Sequence, residues 1–374
     1  MVGKGTARIL PYNRAMSHLE ILLPFGLPPA ELAKDLLRDL QLPALSMLLG
    51  RGNASSGAAL VEDDQSNEPE RALPHESWLA ERFAMGDALR SGGSPPVAPA
   101  LMRTMGLVPE PGHWFIVQPV HFHIARDHLV LTDPRRLALS EDESRALFNV
   151  ALPSFDEAGL RLIYGRADTW FVLANRHADL RTASPDATCG RNIDIWMPKG
   201  DSARAWRKLQ NIVQMDWHAS PVNEARAATM AEPVNSLWLW GGAPASILAM
   251  PSATSPAAAL FGFQGWFAAF GALAGASVPG AVARNVIAAS DQDRLLLLDG
   301  LISPALAGDW AEWLTQLQVL EALWFVPLLE ALQDGKVDAM SLLLTNGTLT
   351  RQWQVSRNSL RKFWRKPTLA GLLP

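Results

Sequence analysis

The spacing of apolar and polar positions changes period along the chain, and each change predicts an element. "HLEILLPFGLPP", residues 18–29, is a short apolar run closed by glycine and proline, which predicts a buried strand and a turn. "PPAELAKDLLRDL", 28–40, has prolines at its start and apolar residues at helical spacing, which predicts a helix. "GRGNASSGAALVEDDQSNEPERALP", 50–74, is small, polar and acidic and reads as a mobile loop. "GHWFIVQPVHFHIARDHLVLTDP", 112–134, alternates in two runs around Ala125, Arg126 and Asp127, which predicts a hairpin. Ser140 and Glu143 form a capping box that opens a helix, and "DTWFVLAN", 168–175, is a further strand. "DSARAWRKLQNIVQMDWHASPVNEARAA", 201–228, is mostly helix, stopped near Pro221.

Nearer the C-terminus, "RLLLLDG", 294–300, is continuously apolar, as in the interior of a parallel sheet. "DWAEWLTQLQVLEALWFVPLLEALQDG", 309–335, is a long helix, and "AMSLLLTNG", 339–347, a last strand. No internal repeat is visible. Strands alternating with helices at both ends, around a hairpin-rich middle, predict an α/β core with an inserted α+β domain.

Composition adjusts this picture in three places. A chain of 374 residues with 48% hydrophobic and 19% charged residues is globular in character and long enough for one large α/β unit with an insertion, or for two domains. A net charge of −4 gives no general attraction to nucleic acid or an anionic membrane. The single cysteine, Cys189, rules out an internal disulfide, and residues 1–18 lack an apolar core of signal-peptide length, so a cytoplasmic protein is expected. The uncharged run 257–282 is long enough to cross a bilayer, but glycines, Gln264 and Pro279 interrupt it. A buried helix in the core is expected there, and no membrane contact.

"HASPVNEARAATMAEPVNSLWLWGG", 218–242, resembles the archaeal-type, cofactor-independent phosphoglycerate mutases. The matching positions are His218, Pro221, Val222, Asn223, Arg226, Pro233, Asn235, Trp238, Trp240 and Gly241. "ILLPFGLPP" is similar to that family's first strand, "LALSEDESRALF" to the helix start of its inserted domain, and "DLRTASPDATCGRNIDIWMPKG" to the loop returning to its core. "ALFGFQGWFAAFGALAGASVPGAV" and "LLDGLISPALAGDWAEWLTQLQVLEAL" also follow it in order, whereas residues 51–111 match weakly. The chain resembles still more closely a bacterial group described as "regulatory protein, RpfE type".

The resemblance implies an alkaline-phosphatase-like fold: a mostly parallel sheet core flanked by helices. The core would be built from residues 1–112 and 201–374, with 113–200 as the inserted α+β domain. In active members two divalent cations, Mn or Zn for instance, and a serine hydroxyl handle a phosphoryl group, because metal charge must neutralise the transferred group. Here the implied ligand positions have largely changed. The first metal aspartate falls at Phe25, which offers no donor. The late Asp-x-x-Gly-His-Asp-Gly-Asp segment keeps Asp299 and Asp309 without a histidine between them, and the closing Asp-His pair reads Asn346-Gly347. The nucleophile position falls at Ser94, followed by Pro95, and a substrate-binding Arg-Cys-Asn strand appears as Gln118-Pro119-Val120.

Three further groups carry two readings each. His121 and His123 share a strand face near His128 and His113, and are either weak metal candidates or a solvent-facing polar row. "TRQWQVSRNSLRKFWRKP", 350–367, interleaves basic and aromatic residues. It reads as an amphipathic terminal helix with its aromatics docked, in preference to a grip on single-stranded nucleic acid. Trp238 and Trp240 share a strand face, either as a pocket wall with Asn223, Arg226 and Asn235 as polar ligand contacts, or as packing with those polar groups bound to backbone. The reading is a catalytically degenerate mutase-like protein without a cofactor, regulatory in role, binding an anionic small molecule or a regulatory protein partner. The alternative is a metal-dependent phosphomutase or phosphohydrolase with a rearranged centre.

Overall fold

The computed structural model describes residues 18–38, 40–55, 70–126, 128–249, 259–275, 280–289 and 292–373. Among them the strands, in chain order, are β1 (His18–Leu23), β2 (Asn53–Ser55), β3 (His113–Val120), β4 (Phe122–Ala125), β5 (His128–Leu131) and β6 (Arg161–Arg166). Then come β7 (Thr169–Leu173), β8 (Ser236–Pro244), β9 (Ala259–Phe261), β10 (Arg294–Leu297), β11 (Ala339–Thr345) and β12 (Thr350–Ser356). The main sheet has the order β2-β12-β11-β1-β10-β9. β9, β10, β1 and β11 run parallel, with Ile21 opposite Leu296 on one side and Leu342 on the other. Helices pack around this sheet, so its central strands are buried on both faces. That explains the unbroken apolar runs of β1, β10 and β11.

A second, antiparallel sheet has the order β6-β7-β3-β8. Its fourth strand comes from Ser236–Pro244, beyond the 113–200 segment expected for the insertion. Period two sorts its side chains. Trp114, Ile116, Trp238 and Trp240 face the main core, and Phe115, Val117, Leu237 and Leu239 face a second core under helices Glu141–Glu157 and Ala203–His218. Two tryptophans at 150–250 Å² each gain about 4–6 kcal/mol apiece from burial. Joining the two lobes is therefore reason enough for the Trp-Leu-Trp pattern. Gly241 (φ 73°) and Gly242 let β8 pass close to Ile116 and Phe115, where a Cβ would come within 2.8 and 2.3 Å.

The hairpin read over 112–134 forms only in part: β4 pairs with β5, Ala125 opposite His128, while His113–Val120 pairs with β7 and β8 in the second sheet. Ser140 and Glu143 close the capping box on the following helix. Pro221 opens a new helix, Pro221–Ala228, after the one that ends at His218. The long C-terminal helix runs from Trp310 to Asp334 through a π turn at Glu321–Phe325, just before Pro327. Buried Glu321 then reaches across and accepts the free N–H groups of Ala44 (2.6 Å) and Leu45 (3.1 Å), capping helix Pro43–Arg51.

Two sequence expectations need correction. The uncharged run 257–282 is not one buried helix. Its described part holds β9, a 3-10 turn at Gly265–Phe267 and the helix Ala268–Ala274. Gly262 (φ 80°) turns where a Cβ would lie 2.1 Å from the Leu297 carbonyl, and Gly275 (φ 61°) ends the helix in the left-handed region. Among the described residues no helix is long and apolar enough to cross a membrane. Residues 350–367 are not a terminal helix either. β12 pairs antiparallel with β11, burying Trp353 and Val355 while Gln354 faces outward, and only Arg357–Leu360 is helical. Phe363 and Trp364 do not dock: they are 81% and 68% exposed, because the chain turns away after that short helix. Part of the 51–74 segment lies outside the described residues; Asn53–Ser55 adds an edge strand to β12.

Candidate functional site

The parallel strands end on one edge of the main sheet, where open α/β sheets place their ligands. Phe25 follows β1, Asp299 follows β10 and Asn346 follows β11. Phe25 sits in the left-handed region (φ 56°), its ring buried in the core, and its carbonyl accepts the Trp313 Nε1–H at 2.9 Å. Facing Asp299 across a cavity of about 120 Å³ are Gln118 from β3, Trp240 from β8, Asp133 and Arg135 from the turn after β5, and Asp186. Asp186 lies in the short helix Pro185–Thr188, opened by Ser184.

Arg135 organises the charges. Its Nε–H donates to Asp133 Oδ1 (2.8 Å), and its two terminal nitrogens fork onto Asp186 at 2.6 and 3.3 Å. Asp133 also accepts the Ser303 hydroxyl at 2.8 Å, tying this turn to the main lobe. Burial alone would lower the Arg135 guanidinium, but Asp186 and Asp133 outweigh it and raise it, so it stays cationic. Burial raises the carboxyls of Asp186 and Asp299. It also raises the Cys189 thiol, which is therefore an unreactive core residue.

Behind Asp186 stand His75 and Glu76, at the start of helix Pro74–Arg82 and fully buried. The His75 ring meets the Phe25 ring edge-on, centroids 6.0 Å apart. Burial, then Arg135, depresses the His75 imidazole to about 3, so it is neutral. Burial, then Asp186, pushes the Glu76 carboxyl up to about 8. Glu76 Oε2 accepts the Leu73 N–H (2.7 Å) and the Ser184 hydroxyl (2.8 Å). Among the described residues both His75 ring nitrogens, Glu76 Oε1, Gln118 Oε1 and Trp240 Nε1 have no hydrogen-bond partner. Unsatisfied buried polar atoms cost about 1–3 kcal/mol each. Gln118 and Trp240 line the cavity, and His75 and Glu76 adjoin its Asp186, which marks this as the candidate site.

The residues singled out from sequence lie mostly elsewhere. Ser94 is buried and its hydroxyl is occupied: it accepts the Gly241 N–H and bonds the Thr182 hydroxyl, each at 2.8 Å. Asn223 donates to the carbonyls of Trp217 and Val234 and accepts the Val234 N–H. Asn235 brackets Phe122, accepting its N–H and donating to its carbonyl. Arg226 donates to the carbonyls of Glu232 (2.7 Å) and Leu137 (2.6 Å) and to Glu143 Oε1 (3.0 Å). All three polar side chains thus tie backbone together, and they do not open into the cavity. Trp238 Nε1–H donates to Ala183, whereas Trp240 lines the cavity and stacks edge-on with Trp266.

His121 and His123 stack with centroids 6.3 Å apart; their Nδ1 atoms face Pro233 O and Thr132 Oγ1. Asp309 caps the helix that starts at Trp310 and lies 3.6 Å from Arg136. Asn346 closes its own turn onto Thr348 and Leu349. The two-metal set implied by the resemblance therefore does not fit these residues: Phe25 has no donor, and Asp309 and Asn346 are engaged locally. Among the described residues one group of three or more metal-ligand side chains converges, His75, Glu76 and Asp186. Sequence reading singled out none of the three. The signal was Glu76 lying three residues after Leu73 and three before Leu79, on the apolar face of its helix.

No family model matches this chain. The 2,3-bisphosphoglycerate-independent phosphoglycerate mutase of Methanosarcina mazei is 24% identical over 120 residues, 32% of this chain and 30% of that protein. The match thus spans less than a third of the length of the curated relative. Among solved structures, the PH0037 protein from Pyrococcus horikoshii superposes with a TM-score of 0.53 at 13% identity, covering 91% of this chain and 87% of that one. The cofactor-independent phosphoglycerate mutase from Thermoplasma acidophilum covers 96% of this chain and 94% of its own, with a TM-score of 0.43 and 14% identity. The fold is mixed α/β with a mostly parallel central sheet flanked by helices, and it is similar to that of the PH0037 protein.

Proposed function

We propose that this chain is a catalytically degenerate, phosphoglycerate-mutase-like protein that binds a small ligand in the cleft between its lobes and acts as a regulator. The observation that carries this reading is the state of Ser94. A nucleophile needs a hydroxyl that faces substrate and a base or metal to activate it. The Ser94 hydroxyl instead holds the Gly241 N–H and Thr182, away from solvent. The polar groups proposed for an anionic molecule at Asn223, Arg226 and Asn235 are engaged with backbone, so the ligand is assigned to the cavity lined by Gln118, Arg135, Asp186, Trp240 and Asp299. That lining offers donors and acceptors together, which suits a small polar molecule. Because it is drawn from both lobes, occupancy would change how firmly they are held, and a regulatory protein partner could read that change.

The test is a coupled mutase assay and a phosphatase assay on purified protein supplied with Mg²⁺, Mn²⁺ or Zn²⁺, beside a screen of phosphorylated and carboxylated metabolites for thermal stabilisation. The expected result is stabilisation without turnover. The competing reading, a metal-dependent phosphoryl-transfer enzyme with a rearranged centre, is favoured by the convergence of His75, Glu76 and Asp186. Turnover that survives Ser94→Ala and disappears in His75→Gln would establish that reading instead.

A further inference from the structure

The cluster behind the cavity has its own chemistry. The ligand atoms of His75, Glu76 and Asp186 lie within 4.8 Å of one another, so modest rotations can bring them round a single ion. An imidazole and two carboxylates are the donor set of borderline divalent metals. We propose that His75, Glu76 and Asp186 bind one divalent transition-metal ion, Zn²⁺ or Mn²⁺ in kind.

Three observations carry the assignment. First, His75 is fully buried with neither ring nitrogen partnered among the described residues, and the same holds for Glu76 Oε1. A neutral imidazole with a free nitrogen is the ligand form of histidine. Second, the carboxylates are already oriented. Ser184 and Leu73 hold Glu76 Oε2 and leave Oε1, and Arg135 forks onto both oxygens of Asp186, each of which keeps a second lone pair, as outer partners hold metal ligands. Third, the charge is unbalanced. Leaving Glu76 aside, four acidic residues, Asp133, Asp168, Asp186 and Asp299, line the cavity against two guanidiniums, Arg135 and Arg166. A water molecule could satisfy the same nitrogens and oxygens but would leave that surplus in place, and a cation removes it. Three protein ligands also leave a coordination position open, as in metal sites that take an external ligand, and one of the three, Asp186, lines the cavity. The proposal stands whether or not the protein turns over a substrate.

The test begins with chelator-treated full-length protein, dialysed against Zn²⁺ or Mn²⁺ and analysed for bound metal. One ion per chain is expected, and X-ray absorption of the Zn²⁺ form should show one imidazole among oxygen ligands. No retained metal, or two imidazoles on the ion, overturns the assignment. His75→Gln, Glu76→Gln and Asp186→Asn should each weaken binding by more than the ~10–100-fold that loss of an outer partner costs, and Ser184→Ala by about that amount. His121→Asn together with His123→Asn should leave affinity unchanged; loss of binding in that pair would move the site to the hairpin and refute the proposal. If a buried variant does not fold, the stoichiometry and absorption of the native protein still decide.

Discussion

Replacing Arg226 with alanine separates a structural from a ligand-binding role for the Asn223, Arg226 and Asn235 group. The guanidinium is 5% exposed and bridges three chain segments: the turn at Glu232, the Leu137 carbonyl and the Glu143 carboxylate of the capping box. Each carbonyl loses a bond to a charged donor, about 1.5–3 kcal/mol. The Glu143 pair, whose carboxylate is partly solvated, contributes less than about 1 kcal/mol. Water reaching the vacated space returns part of this, so a net loss of about 3–5 kcal/mol is expected, the range for removing one partner of a buried pair. Urea unfolding followed by tryptophan fluorescence suits the question, since Trp170, Trp206 and Trp217 lie in the same core as Leu137. Arg226→Lys should recover little, because an ammonium cannot fork between the two carbonyls. An alanine variant that unfolds within about 0.5 kcal/mol of the parent, the scale of a neutral surface change, would refute the reasoning. If that variant also lost stabilisation by phosphate or phosphoglycerate, Arg226 would be a ligand contact.

Two further predictions follow from the buried polar groups. Ser94→Ala should cost about 1–3 kcal/mol by stranding the Gly241 N–H, measured by thermal unfolding; an unchanged melting temperature would remove the structural role of this hydroxyl. The second concerns pH in metal-free protein. Glu76 is raised from 4.5 to about 8, so its stabilising contribution is full below pH 4.5 and is lost as pH rises through 8. His75 is lowered from 6.5 to about 3, so its contribution is present above pH 6.5 and is lost as pH falls through 3. Of these two groups, only Glu76 changes between pH 6.5 and 8. The melting temperature should fall across that window, and Glu76→Gln should flatten the fall; an equal slope in the variant would contradict the assignment.

Much of the fold was legible because burial writes plain patterns. β10, in "RLLLLDG", is apolar throughout because its neighbours and helices cover both faces, and Ser140 with Glu143 announced the helix they cap. β12 was hidden because its inward pair, Trp353 and Val355, is followed at once by the basic run after Ser356, whose charges suggest a longer amphipathic helix. The uncharged run 257–282 misled through composition: it has no charged residue, yet Gly262 and Gly275 break it. The cavity was half legible. Asp299, Gln118 and Trp240 were picked out, but His75, Glu76 and Asp186 were not, since a single buried carboxylate on an apolar face leaves a weak trace. Arg135 and Asp186 meet across about fifty residues of chain, a distance no local pattern spans.

Phosphoryl transfer by this fold through Ser94 would leave a covalent mark. Intact-mass analysis of metal-supplied protein after incubation with phosphoglycerate tests the central claim most directly. The account predicts an unmodified mass, because the Ser94 hydroxyl is buried against Gly241 and Thr182. A gain of one phosphoryl group, lost in Ser94→Ala, would contradict it.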